Sequence, residues 1–117
     1  MPKLRRFEWP KQLPPLSDAQ RAIADDFVAH WHTVLPRNFG AVEKFNHTYP
    51  LRFLPPSDRW KTLEIGAGLG GHLSWEPLER QEYHCIELRD GMAREIRRRF
   101  PSAITVTGDC QVQIPYE

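Results

Sequence analysis

Residues 61–71 read KTLEIGAGLGG. Thr62, Leu63 and Ile65 are β-branched or apolar, the residue types that fit a pleated, half-buried strand. Four glycines follow, at positions 66, 68, 70 and 71. Glycine permits positive φ and lets another molecule approach the main chain closely. Glu64 stands two residues ahead of Gly66, a carboxylate near the end of an otherwise apolar run. A strand that ends in glycines and enters a helix makes a nucleotide cradle, because the first N–H groups of a helix have no partner within it. The next stretch, HLSWEPLERQ, predicts a helix split at Pro77, with that proline opening a second turn.

The pattern continues downstream. EYHCIEL (82–88) predicts a second strand and AITVTG (103–108) a third. Between them DGMAREIRRRF (90–100) predicts a helix with Met92, Ile96 and Phe100 inward, closed by Pro101. Strand, helix, strand, helix, strand is a βαβαβ unit, which implies a parallel sheet and right-handed crossovers. Ligands of such folds sit beyond the carboxyl ends of the strands. Glu87 ends the second strand there, and Asp109 follows the third within GDC.

Gly66, Gly68 and Gly71 satisfy G-x-G-x-x-G, so a dinucleotide-binding oxidoreductase of the NAD type is a competing reading. Glu64 weighs against it, since a carboxylate beside a pyrophosphate repels it, whereas an amino or sulfonium group is welcome there. A carboxylate at Glu87 can accept both hydroxyls of a ribose, which suits either reading. Asp109 can accept from the exocyclic amine of an adenine. Three acids at three successive strand ends, with no Lys or Arg facing them in the motifs, suit a neutral or cationic nucleoside better than a phosphate-rich one.

LEIGAGLGG, IEL and GDC, in that order, resemble the first three motifs of the class I S-adenosylmethionine-dependent methyltransferases. The nearest flavour is the small-molecule branch that includes quinone-biosynthesis enzymes, and the resemblance covers residues 60–117. It implies a Rossmann-like three-layer α/β sandwich with a parallel sheet, and a methyl transfer from S-adenosyl-L-methionine to a small-molecule acceptor. Glu64 would brace the glycine loop near the methionine amino group, and Gly66, Ala67 and Gly68 would line the methionine moiety. Glu87 would hold the ribose, Leu88 would lie against one adenine face, and Asp109 would bind the adenine amine with the Cys110 backbone beside it. Position 110 is more often alanine in the family, and Cys110 is a small substitute. The sheet of that family has seven strands in the order 3-2-1-4-5-7-6, and this sequence supplies the first three. The sequence thus resembles an amino-terminal half, and no catalytic base is assigned. The strand at 61–65 would have an open edge, so the expectation is a marginal, self-associating or inactive product on its own.

The first half of the chain reads differently. Residues 1–16 hold Pro2, Pro10, Pro14 and Pro15 and predict an irregular arm that Phe7 and Trp9 could pin. SDAQRAIADDFVAHWHTVLP predicts a helix: Ser17 and Gln20 have capping-box spacing, Ile23, Phe27, Trp31, Val34 and Leu35 form one stripe, and Pro36 stops it. A shorter helix is expected over 38–49, weakened by Gly40, and Pro50, Pro55 and Pro56 mark a linker. The expected domains are therefore the arm 1–16, a helical cap 17–50 and the first half of a cofactor-binding domain 51–117.

With 117 residues and a formal net charge of +1, the sequence allows one small domain and offers no global reason for a nucleic-acid or membrane partner. Two cysteines are too few for a disulfide framework, which makes a reducing cytoplasm the default. No apolar run approaches the roughly 20 residues of a membrane span, and the basic start has no apolar region after it. The five histidines show no metal spacing. Blander readings stand beside each motif: glycines that only turn the chain, Glu87 and Asp109 as caps, Cys85 as a buried small hydrophobe, Arg94–Arg99 as a solvated helix face. A non-catalytic cofactor-binding or nucleic-acid-binding module is the third reading left open.

Overall fold

The computed structural model describes residues 14–116. The chain divides between Pro56 and Ser57 into two compact units. The sequence places that division near residue 50. Of the arm expected over 1–16, residues 1–13 lie outside the described residues.

In the helical unit, α1 spans Asp18–Ala29. It starts on the expected capping box: the Ser17 hydroxyl accepts from Gln20 N, and Gln20 Oε1 accepts from Ser17 N. Pro36 does not end the helix. A π-helical turn, His30–Val34, leads directly into α2, Leu35–Thr48, with Leu35 N donating to His30 O five residues back. Proline is tolerated in the first turn of a helix, where its missing N–H has no helical partner to lose. The wider turn lets Pro36 take that position instead of breaking the run. The break falls at Phe39, with φ −131° and ψ 32°, immediately before Gly40. A 3₁₀ turn, Pro50–Phe53, follows. No residue of α1 or α2 is buried. Ile23, Phe27, Trp31, Phe39, Val42 and Phe45 are all exposed. Because the helical segments succeed one another with no loop between them, neither folds back to cover the other's stripe.

The second unit holds strands β1 (Trp60–Ile65), β2 (Gln81–Glu87) and β3 (Ile104–Thr107), parallel and in the order β1-β2-β3. The register pairs Glu64 with Cys85 and Cys85 with Thr105. Side chains alternate across a strand. One face therefore carries Thr62, Glu64, Tyr83, Cys85, Glu87, Thr105 and Thr107, and the other Leu63, Ile65, His84, Ile86, Ile104 and Val106. Helix α3, Asp90–Arg99, covers the first face. The core there joins Ala67, Leu73, Tyr83, Cys85, Ile96 and Ala103, with Leu78 and Phe100 packed against them. On the second face Leu63, Ile65 and Ile104 stay exposed. Tyr116 reaches back to this face, its hydroxyl 2.8 Å from His84 Nδ1.

The crossover from β1 to β2 contains no α-helix. Two 3₁₀ turns, His72–Ser74 and Leu78–Arg80, stand in its place. Pro77 precedes the second turn with ψ 75°, outside helical values, and does not open it as its first residue. A proline removes a donor and biases the residue before it away from the α region, so a continuous helix cannot run through 76–77. Leu73, 1% exposed, supplies the contact with the sheet that a whole helix would otherwise provide. The unit is an incomplete Rossmann-like α/β fold.

Candidate functional site

The glycine loop is tied to β2 at two points. Gly66 N donates to Ile86 O at 2.8 Å, and Gly68 N donates to Glu87 Oε2 at 2.7 Å. Gly66 has φ +75°, and a Cβ built on it would meet nothing within 4 Å. Its bareness answers a backbone need and leaves open space in front of the loop. Gly70 also has φ +75°, but a Cβ there would lie 2.9 Å from Cε2 of Phe100. That second glycine lets the loop sit down on α3. Ala67, between them, is buried in the core and presents only backbone to the outside.

Glu87 is buried. Its Oε2 takes Gly68 N, and its Oε1 accepts from Arg89 N at 3.0 Å. Its backbone O accepts from Gly108 N at 3.0 Å, which ties the end of β3 to the end of β2. A carboxylate offers about four lone-pair positions, so two backbone donors leave room for two more. Helix α3 has Arg89 at its N-cap and no side-chain cap, so Glu87 is not the helix cap of the blander reading. Leu88, 62% exposed, stands next to it at the rim.

Glu64 lies on the same face of the sheet, and its Oε2 accepts from the Tyr83 hydroxyl at 3.0 Å. Burial pushes its carboxyl above the usual range; the Tyr83 hydrogen bond and the charge of His72 pull it back, and Glu76 and Glu87 push it up again. The broken crossover brings His72 and Glu76 here. His72 Nε2 and Glu76 Oε1 are 2.7 Å apart, and Gln81 Nε2 donates to Glu76 Oε2 at 2.8 Å. Thr62 Oγ1 donates to Gln81 Oε1 at 2.5 Å, which returns the chain of hydrogen bonds to β1. The sequence reading missed Tyr83, Glu76 and Gln81. The signal for Tyr83 was strand parity, since 83, 85 and 87 share a face; nothing local marks Glu76, whose role depends on where Pro77 breaks the crossover.

Asp109 is placed differently. Its Oδ1 accepts from Gln111 N at 2.8 Å, and its backbone O accepts from Val112 N and Gln113 N. It lines a hollow of about 270 Å³ with Ile86, Val106, Thr107 and Val112, among others. Neither Glu64 nor the glycine loop lines that hollow. The structure thus brings Glu64, Gly66–Gly68 and Glu87 together, and ties the turn that holds Asp109 and Cys110 to Glu87 through the Gly108–Glu87 backbone bond.

The basic helix α3 is largely occupied with its own fold. Arg97 donates to Thr105 O and to Thr107 Oγ1, each at 3.0 Å, Arg99 to Leu69 O at 2.9 Å, and Arg98 pairs with Glu95. Cys85 is fully buried, and burial, with the charge of Glu64, pushes its thiol up to about 12, so it is an inert core residue. Among the described residues no group of His, Cys, Asp or Glu is set to hold a metal ion, and no helix is long and apolar enough to cross a membrane.

No family model matches the chain, and no curated protein matches it. Solved structures do. A TehB-like S-adenosylmethionine-dependent methyltransferase from Corynebacterium glutamicum is similar at 19% identity and a TM-score of 0.54, over 83% of this chain and 50% of that one. The PH0226 protein of Pyrococcus horikoshii is similar at 18% identity and a TM-score of 0.53, over 88% of this chain and 44% of that one. The chain spans about half the length, or less, of the structures it matches. At this identity the likeness is one of fold: the chain has part of the class I methyltransferase fold, with β1 to β3 in the order that fold requires.

Proposed function

We propose that the loop Gly66–Gly68 with Glu64 and Glu87 holds the methionine and ribose moieties of S-adenosyl-L-methionine, and that the chain belongs to a methyltransferase acting on a small-molecule acceptor. The observation that carries this is the clamp of Gly68 N onto Glu87 beneath an open glycine loop, with Glu64 in the same negative cluster. The residues fit the ligand. Glu87 keeps lone pairs for two ribose hydroxyls. Glu64 is a carboxylate that an ammonium group would stabilise. Exposed Leu88 offers an apolar surface for an adenine face, while Asp109, which lines a separate hollow, is left out of this site.

Two features speak against a dinucleotide. No α-helix follows the loop, so the dipole that favours a pyrophosphate is missing, and Gly68 N is already given to a carboxylate. When bound, S-adenosyl-L-methionine supplies an activated methyl group, and the protein's part is alignment more than bond chemistry. Glu64 and Glu87 anchor the two ends of the nucleoside–amino-acid frame, which fixes where its middle lies. The loop backbone, without side chains at Gly66 and Gly68, lets that middle approach closely. The open edge of β1, bonded only to β2 among the described residues, supports association with a second copy of the chain.

Calorimetry with S-adenosylhomocysteine and with NAD tests the reading. Binding of S-adenosylhomocysteine, weakened at least tenfold in Glu87→Ala, is the expected result. Binding of NAD without S-adenosylhomocysteine would replace the methyltransferase with an oxidoreductase.

A further inference from the structure

Tyr83 occupies a core position of β2 where an aliphatic side chain would fill the space. It is 2% exposed, and its ring packs in the cluster of Leu73, Cys85 and Ile96. Its hydroxyl is the polar tip of that core, and it points to Glu64 Oε2 at 3.0 Å. A buried phenol needs a hydrogen-bond partner. The partner here is no backbone carbonyl but the acid two residues before the glycine loop. Because the ring is held by packing on α3's side of the sheet, the place of its hydroxyl is fixed, and so is the carboxylate oxygen it meets. Burial and the charge of Glu64 both push the phenol's own ionisation far up, so it keeps its proton and remains a donor.

We propose that Tyr83 is a positioning residue: its hydroxyl holds the Glu64 carboxylate charged and oriented to receive the ammonium group of a methionine-type ligand. This rests on the methyl-donor site proposed above and adds how that site distinguishes an amino-acid-bearing nucleoside from a bare one. Every group that faces Glu64 enters the balance. Tyr83 and His72 favour its charge; burial, Glu76 from the crossover and Glu87 from the end of β2 oppose it, and Cys85, its register partner, stays neutral. The Tyr83 hydroxyl meets the carboxylate directly, donating to Oε2 at 3.0 Å. Removing the hydroxyl therefore removes both a charge-favouring contact and the orientation.

The test compares S-adenosylhomocysteine with 5′-methylthioadenosine, the same thio-nucleoside without the amino-acid group, by calorimetry on the full chain over about pH 5 to 8. Tyr83→Phe keeps the ring and its packing. It is expected to weaken S-adenosylhomocysteine by about tenfold, as for a lost hydrogen bond to a charged group, and to leave methylthioadenosine unchanged. The acid-side midpoint for S-adenosylhomocysteine binding should move to higher pH, because a charge-favouring contact is gone. Glu64→Gln should show the same selective loss, and Tyr83→Phe combined with Glu64→Gln should lose no more than Glu64→Gln alone. In the ligand-free protein, the Glu64 carboxyl carbon resonance should titrate at higher pH in Tyr83→Phe than in the wild type. Equal losses for both ligands, additive losses in the double variant, or an unmoved Glu64 titration would each overturn the proposal and leave Tyr83 a core residue. Wild-type protein that binds methylthioadenosine as tightly as S-adenosylhomocysteine would overturn it while keeping the nucleoside site. Wild-type protein that binds neither would overturn the methyl-donor site and this proposal together.

Discussion

Glu64 carries a conflict that is measurable at the level of one residue. Its carboxyl is raised first by burial, and the Tyr83 hydrogen bond and His72 only partly offset this. A group whose folded value lies above its unfolded value stabilises the fold below the unfolded value and loses that contribution as pH rises through the folded one. Between those two values the native state therefore becomes less stable as the carboxylate ionises. Glu64→Gln should raise the melting temperature at pH 7, and the gain should shrink as the pH is lowered into the range where the carboxyl protonates. A thermal melt that shows no gain at pH 7, or the same gain at all pH values, contradicts the assignment. The two glycines separate in the same way. Both Gly66 and Gly70 have φ +75°, a conformation that costs about 1–2 kcal/mol for an L-residue. Gly66→Ala should lose about that much stability in urea unfolding. Gly70→Ala should lose more, because its Cβ meets the Phe100 ring. Equal losses would mean that Phe100 moves away freely. The glycine pattern and the acids were readable as letters, whereas the difference between Gly66 and Gly70 depends on which side of the loop α3 occupies.

The elements show where local signals suffice and where they do not. The three strands and α3 fall within a residue or two of the expected positions, because alternation, glycines and Pro101 bound them from both sides. Two expectations fail at prolines. Pro36 was to stop a helix and instead enters α2 through a π turn; Pro77 was to open a helical turn and instead precedes a short 3₁₀ one. A proline tells that a donor is missing, and the surrounding chain decides whether the gap is used as a start, a kink or a stop. In the crossover, the packing is concentrated in one side chain. Leu73→Ala should cost about 2–5 kcal/mol, the range for a buried leucine, whereas Trp75→Ala, at an exposed position, should cost well under half of that. Chemical denaturation of both variants checks this, and similar costs would mean that the 72–80 segment is held by its polar network of Glu76, Gln81 and Thr62 instead.

At the scale of the whole molecule, β1 has one hydrogen-bonded neighbour among the described residues, and Leu63, Ile65 and Ile104 are exposed on the face away from α3. An apolar face beside an open edge favours pairing with another chain. Sedimentation at tens of micromolar should find species heavier than the 13.7 kDa chain, and Ile65→Lys should shift them toward the monomer. A wild type that stays monomeric throughout that range would rule out association by this edge. The order of the strands and α3, the parallel sheet and the identity of the acids at the strand ends were all determined by the sequence itself, since periodicity and turn residues act over a few neighbours. Which acids share a site was decided only by the tertiary structure. Register and parity set Glu64 and Glu87 around the loop with Tyr83 and Glu76, contributed by distant parts of the chain, while the turn after β3 directs Asp109 to a separate hollow. Charge, burial and orientation at Glu64 are sums over residues that meet only when the sheet forms, and no stretch of sequence carries such a sum by itself.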